Sequence, residues 1–120
     1  MPRDISESDW KVFKELRAVA LERFCHRVLN EAGRLMGDSA RSSHDRYGDV
    51  FQLMMERDRE LAHAFNTPRR SRAISQLALI VKLDLLVPEE LARFTPGIRD
   101  SVMELTKGMQ PPRVRTQDGA

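Results

Sequence analysis

Two charged residues stand among apolar ones in ways that invite a chemical explanation. Asp58 falls in the middle of the stripe Met54, Leu61, Phe65, and Arg17 falls in the arc of Trp10, Phe13, Leu21 and Phe24. If these segments are helices packed antiparallel, Asp58 faces Leu21 and Arg17 is one turn away. An arginine reaches that far. The spacing therefore predicts a buried ion pair, Arg17 with Asp58. A pair of this kind adds little net stability, yet breaking it costs about 3–5 kcal/mol. The same pair lining a pocket would give an enzyme or ligand site with Asp58 as base or ligand. No nucleophile lies nearby in the sequence. There is no glycine-rich phosphate loop, nucleophile elbow or catalytic carboxylate pair, so no catalytic residue is assigned.

Arg69, Arg70 and Arg72 follow Thr67–Pro68, a cap-and-start pair for a helix. Arginine carries the wrong charge for a helix N-terminus. Free backbone N–H groups plus guanidinium groups make an anion site. The flanking charges sharpen this, since residues 68–87 hold four basic groups and one acid. Either internal acids such as Glu60 or Glu89 satisfy the cluster, or it takes a phosphate, an RNA or an acidic protein.

The remaining reactive types are sparse. Glu60 and His63 have the spacing of half a di-iron site, but the chain holds no second copy. His26 and His44 read as surface groups, and no metal or cofactor is expected. Cys25, the single cysteine, excludes an internal disulfide and a cysteine-based zinc cluster within one chain. It reads as an inert, buried thiol in a reducing compartment.

These residues need helices to place them. The chain has 120 residues, 41% hydrophobic and 32% charged, with a net charge of +2. That suits one soluble domain and is a poor nucleic-acid signal by itself. Residues 1–10 are charged without an apolar core, unlike a secretory leader. The longest apolar stretch, residues 77–87, is interrupted by Lys82 and Asp84 and is too short to cross a membrane. The expected location is the cytoplasm.

Helical periodicity predicts a first helix over residues 9–36, capped by Ser6 or Ser8, with Trp10, Phe13, Leu21, Phe24, Val28, Ala32 and Leu35 on its core face. At about 40 Å it would be long for a domain of this size, and would bend, break or extend into a partner. A second helix follows over 44–65 with Tyr47, Val50, Phe51, Met54, Leu61 and Phe65 inward. A third, apolar nearly all round, spans 68–86 and belongs in the bundle centre. Short helix 88–94 and a final helix from Pro96 to about Lys107 complete an all-α bundle. The class is thus all-α: a compact helical bundle of three main helices plus a short fourth and a final fifth. The domain covers residues 1–108, and composition predicts a disordered tail over 109–120.

Val12, Leu16 and Val19 form a second apolar row on the first helix. A second row needs a second neighbour. That neighbour is either the final helix, through Ile98, Val102 and Leu105, or another chain. A helix-turn-helix is excluded because the short helix opens with Glu89–Glu90 and offers only Arg93 to a groove.

The stretches SDWKVFKELRAVALERFCHRVL and RDRELAHAFNTPRRSRAISQLALI resemble a family of small, uncharacterised helical proteins of proteobacteria, over about residues 8–102. The resemblance implies a bacterial cytoplasmic origin and transfers no catalytic or ligand residue. Some members carry the designation peptide-transporter substrate-binding protein. A two-lobed binding protein needs several times this length, so that label does not suit the chain.

The residues together point to a non-enzymatic protein-interaction or regulatory subunit that self-associates as a homodimer. The alternative is an RNA- or ribosome-associated factor using Arg69, Arg70, Arg72, Arg113 and Arg115. A small enzyme with a pocket at Arg17 and Asp58 comes third.

Overall fold

Five helices and one tight turn make up the chain, with no strand among the described residues, which are 5–109 of a computed structural model. Helix α1 is Glu7–Met36 and α2 is Ser43–Phe65. A 3-10 turn, Arg70–Arg72, leads into α3, Ala73–Lys82. The short α4 is Pro88–Leu91 and α5 is Pro96–Lys107. The tail expected over 109–120 lies outside the described residues apart from Met109, which packs against the core.

Helix α1 is unbroken for 30 residues, about 45 Å. The Ser6 hydroxyl caps it by accepting from the Asp9 amide at 3.1 Å. Ser42 does the same for α2 through the Asp45 amide at 3.0 Å. One long helix stretches the molecule to 54 × 24 × 24 Å, with a radius of gyration of 16.6 Å against about 14 Å for a spherical domain of this length.

The core lies at one end. Phe13, Leu16, Ala20 and Phe24 of α1 meet Phe65 of α2, Leu77 and Ile80 of α3 and Val102 of α5. Beyond Val28 the α1–α2 hairpin runs on as two helices alone, and its buried Ala32 and Leu53 lie outside the main core cluster.

The buried face of α1 differs from the expected one. Leu16 is 3% exposed and belongs to the core, Val12 is half-buried against it, and Val19 is 37% exposed. Leu16 of that row is therefore taken by the chain's own core, the first of its two expected neighbours. The physical reason is that α1 serves two neighbours, α2 along its second half and α3 along its first, with the start of α5 tied to Asp9. Leu16 belongs to the same buried cluster as Val102 of α5, against which Ile98 is half-buried.

Helix α2 is turned relative to expectation. Its buried residues are Leu53, Arg57, Ala64 and Phe65. Tyr47, Phe51 and Met54 stand in solvent at 71%, 57% and 38% exposure.

Helix α3 is shorter than periodicity predicts. It starts at Ala73 because Arg69 is extended, with φ −138° and ψ 145°. It stops at Lys82, and Asp84 then adopts φ 61°, a left-handed conformation that ends a helix. Arg27 of α1 donates to the carbonyls of Leu83 and Asp84 at 2.8 and 2.9 Å. Arg23 donates to the Leu85 carbonyl at 2.8 Å. Two arginines one turn apart thus satisfy the carbonyls that a continuing helix would have used. Leu85 and Leu86 are buried from the connection, not from the helix.

Candidate functional site

The expected pair of Arg17 and Asp58 does not form. Arg17 donates to the carbonyl of Phe65 at the end of α2, and its guanidinium lies 5.9 Å from the Phe65 ring centre. Asp58 is exposed and makes no ion pair with the described residues. The antiparallel packing is real but its register differs: the Asp58 turn of α2 lies by Glu31 of α1, which pairs with Arg57, and not by Leu21, while Phe24 meets Phe65 with ring centres 5.9 Å apart. That shift carries Arg17 past Asp58 to the helix end. A cation at helix C-terminal carbonyls is favourable. Gln76 completes this cap, donating to the Asn66 carbonyl at 3.2 Å and its side-chain oxygen at 2.6 Å.

The buried ion pair belongs to a neighbouring residue. Arg57, 9% exposed, donates from Nε to Glu31 Oε1 at 3.0 Å and from Nη2 to Glu31 Oε2 at 3.1 Å. Its Nη1 reaches Glu60 at 3.1 Å. The two-point hydrogen bonding to Glu31 holds Arg57 charged and pushes its pKa above the ordinary guanidinium value. Sequence reasoning missed it because Arg57 sits beside the apolar stripe instead of within it. The signal present was the row Leu53, Arg57, Glu60, Ala64, which keeps a helical period of its own.

A second buried charge stands in the first turn of α1. Asp9, 3% exposed, accepts from the Thr95 amide at 3.0 Å and the Thr95 hydroxyl at 2.7 Å. Thr95 is the N-cap residue of α5. Its side chain gives its hydrogen to Asp9 in place of capping its own helix, so the carboxylate of α1 caps α5.

The arginine cluster is divided. Arg70 pairs with Glu7 and lies 5.8 Å from the Trp10 ring centre. Glu60 instead accepts from Arg57. Arg69 and Arg72 are exposed and form no ion pair among the described residues. Arg72 is the N-cap residue of α3 and makes no side-chain cap hydrogen bond there.

Glu90 shows the strongest electrostatic perturbation. It takes two hydrogen bonds from Arg23, both 2.8 Å, and one from the Val87 amide at 2.9 Å. The Arg23 guanidinium, with the amide, holds its carboxyl at about 2, below the ordinary 4.5.

Metal chemistry has no framework among the described residues, where no group of three or more His, Cys, Asp or Glu side chains is placed to hold an ion. His63 Nδ1 lies 2.9 Å from the Arg59 carbonyl. Cys25 is half-buried rather than fully buried as expected. Among the described residues no helix is long and apolar enough to cross a membrane.

The free end of the hairpin has two unlike sides. One is a cleft rimmed by Glu31, Arg34, Arg41, His44, Asp49 and Gln52, with Leu35 and Leu53 also in its lining. Arg41 closes on Asp49 there, with Nε to Oδ2 at 2.7 Å. The other is an apolar groove of about 240 Å³ between Cys25, Val28 and Leu29 of α1 and Met54, Asp58 and Leu61 of α2. Tyr47 and Phe51 extend the groove along α2 by helical spacing. Leu29 is 63% exposed. Large apolar side chains gathered on one side of a two-helix arm form the most distinctive surface of the molecule. Comparison with protein-family models, with curated proteins and with solved structures finds no match to this chain.

Proposed function

We propose that this chain is a small non-enzymatic helical subunit that works by binding protein, itself included, through the apolar side of the α1–α2 arm. The observation that carries the reading is the exposure of Leu29, Tyr47, Phe51 and Met54 on one side of the arm, opposite a polar side. Monomers rarely leave contiguous apolar patches of several hundred Å² in water without using them. This surface replaces Val12, Leu16 and Val19 as the contact. We place the protein in a reducing compartment, the cytoplasm, because its one cysteine has no partner within the chain.

The test is a photo-crosslinking amino acid placed at Phe51, and separately at Gln52 on the polar side, in living cells. The reading expects a mass-identified protein adduct from position 51 and little from 52. Equal adducts at both positions, or none at either, would overturn it.

One observation supports a second reading. Arg69 and Arg72 are exposed and unpaired within the described residues, a pattern suited to phosphate. If the chain binds RNA, binding falls steeply with salt and is lost in Arg69→Glu/Arg72→Glu. A chain without salt-dependent RNA binding removes this reading.

A further inference from the structure

The exposed side of α2 has a finer pattern than apolarity. Tyr47, Phe51, Met54, Asp58, Leu61 and Phe65 follow one another at steps of four, three, four, three and four. That is the heptad spacing of a coiled-coil seam. The last two positions are used inside the monomer: Phe65 is buried and Leu61 half-buried against the core. The first four are exposed. Helix α1 does not cover them, because Leu53, Arg57 and Ala64 face it instead.

We infer that the occupant of this seam is a second copy of the same chain, with the two α2 helices antiparallel and crossing between Phe51 and Met54. This rests on the protein-binding reading above and names its partner. The first argument is charge. Asp58 is the one acidic group in the seam. Parallel copies would stack Asp58 on Asp58 of the partner subunit, like charge on like. Antiparallel copies avoid this.

The second argument is self-complementarity. A two-fold contact needs each residue to meet a partner equally far from the axis on the other side. About the midpoint of Phe51 and Met54, these two face each other's counterparts, and Tyr47 and Asp58 are equidistant. The crossing therefore brings each Tyr47 hydroxyl, a donor, to a carboxylate, an acceptor, of the other copy. A buried acid in an apolar seam needs such a partner. The third argument is size. Tyr47 to Leu61 spans about 21 Å, and two helices are about 20 Å wide, giving a patch of roughly 400 Å². That belongs to the weak, reversible class of interface, with the rows of Leu29 and Cys25 flanking it.

Sedimentation equilibrium of the full chain tests this over about 5 to 500 µM, a span that brackets a micromolar dimer. The wild type should pass from monomer to dimer. Tyr47 is 71% exposed, so substitutions there leave the fold intact, which circular dichroism checks. Tyr47→Glu should weaken the dimer about tenfold or more, because it faces Asp58 of the other copy. Tyr47→Lys should keep it within about threefold, because it faces the same carboxylate with opposite charge. Equal weakening by both would overturn the antiparallel arrangement, since in a parallel seam each new charge meets itself. A wild type that stays monomeric, or a dimer indifferent to both changes, would overturn the second copy as occupant. The photo-crosslinks from position 51 then decide separately whether the arm binds another protein.

Discussion

The Arg57 guanidinium of α2 closes on the Glu31 carboxylate of α1 at two points, 3.0 and 3.1 Å, and Arg57 stands in the row of α2 that faces α1. A helix with one apolar stripe packs that stripe inward. Here the stripe of Tyr47, Phe51 and Met54 is rotated out, and the row holding Leu53, Arg57 and Ala64 is rotated in. Arg57 can sit in that buried row because Glu31 and Glu60 both accept from its guanidinium.

Loss of this pair should therefore be costly in one direction only. Arg57→Ala leaves Glu31 beside an apolar contact without its partner, and should destabilise the fold by about 3 kcal/mol. Replacing both partners by leucine should recover most of that. Urea denaturation of the two variants and the wild type checks both statements.

Asp9 and Thr95 tie the beginning of α1 to the beginning of α5 across 86 residues of sequence. Asp9→Ala strips the partner from a backbone amide and a hydroxyl at the start of a helix. The expected loss is about 2–3 kcal/mol, with about 1 kcal/mol for Asp9→Asn, which keeps an acceptor. Thermal unfolding with matched urea titrations measures it.

Acid should weaken the protein through Glu90. Its folded pKa of about 2 lies below the ordinary 4.5. The stabilisation is thus complete above pH 4.5 and is lost as pH falls from there toward 2. Glu90→Gln should be less stable than wild type at pH 7, and the gap should close as pH approaches 2. Glu15, lowered by Arg93, titrates in the same direction and forms the background against which the gap is read. A gap independent of pH would contradict the assignment.

Leu16 and Val19 separate the core from the surface on α1. Leu16→Asp places a charge in the core beside Phe13 and Ala20 and should abolish folding, whereas Val19→Asp, at a site 37% exposed, should shift stability by less than about 1 kcal/mol. Circular dichroism on the two variants gives the answer directly.

The helical class, the five helices and a serine cap on the first of them were legible in the sequence, because periodicity and capping are local. The facing of those helices was not. Helix α2 offers two rows with a helical period, and the choice between them depends on Glu31, 26 residues away from Arg57. The end of α3 was illegible for the same reason: residues 83–86 are apolar enough to continue the helix, and Arg23 and Arg27 of α1 stop it. Of the candidate sites, Arg17 was correctly marked as a polar residue in a buried arc, but its partner is a helix end, which no residue type announces. The arginine cluster was visible as charge, whereas the capture of Arg70 by Glu7 and Trp10 needed the third dimension.

The account stands or falls on the apolar side of the arm as a contact between chains. The direct measurement is the light-scattering mass of wild type and Phe51→Glu during gel filtration at rising load, with absorbance at 260 and 280 nm recorded together. The account predicts a wild-type mass that climbs from 13.8 kDa toward twice that value without excess absorbance at 260 nm. It also predicts a Phe51→Glu variant that stays at 13.8 kDa with unchanged helicity. The same mass for both proteins at every load would contradict it.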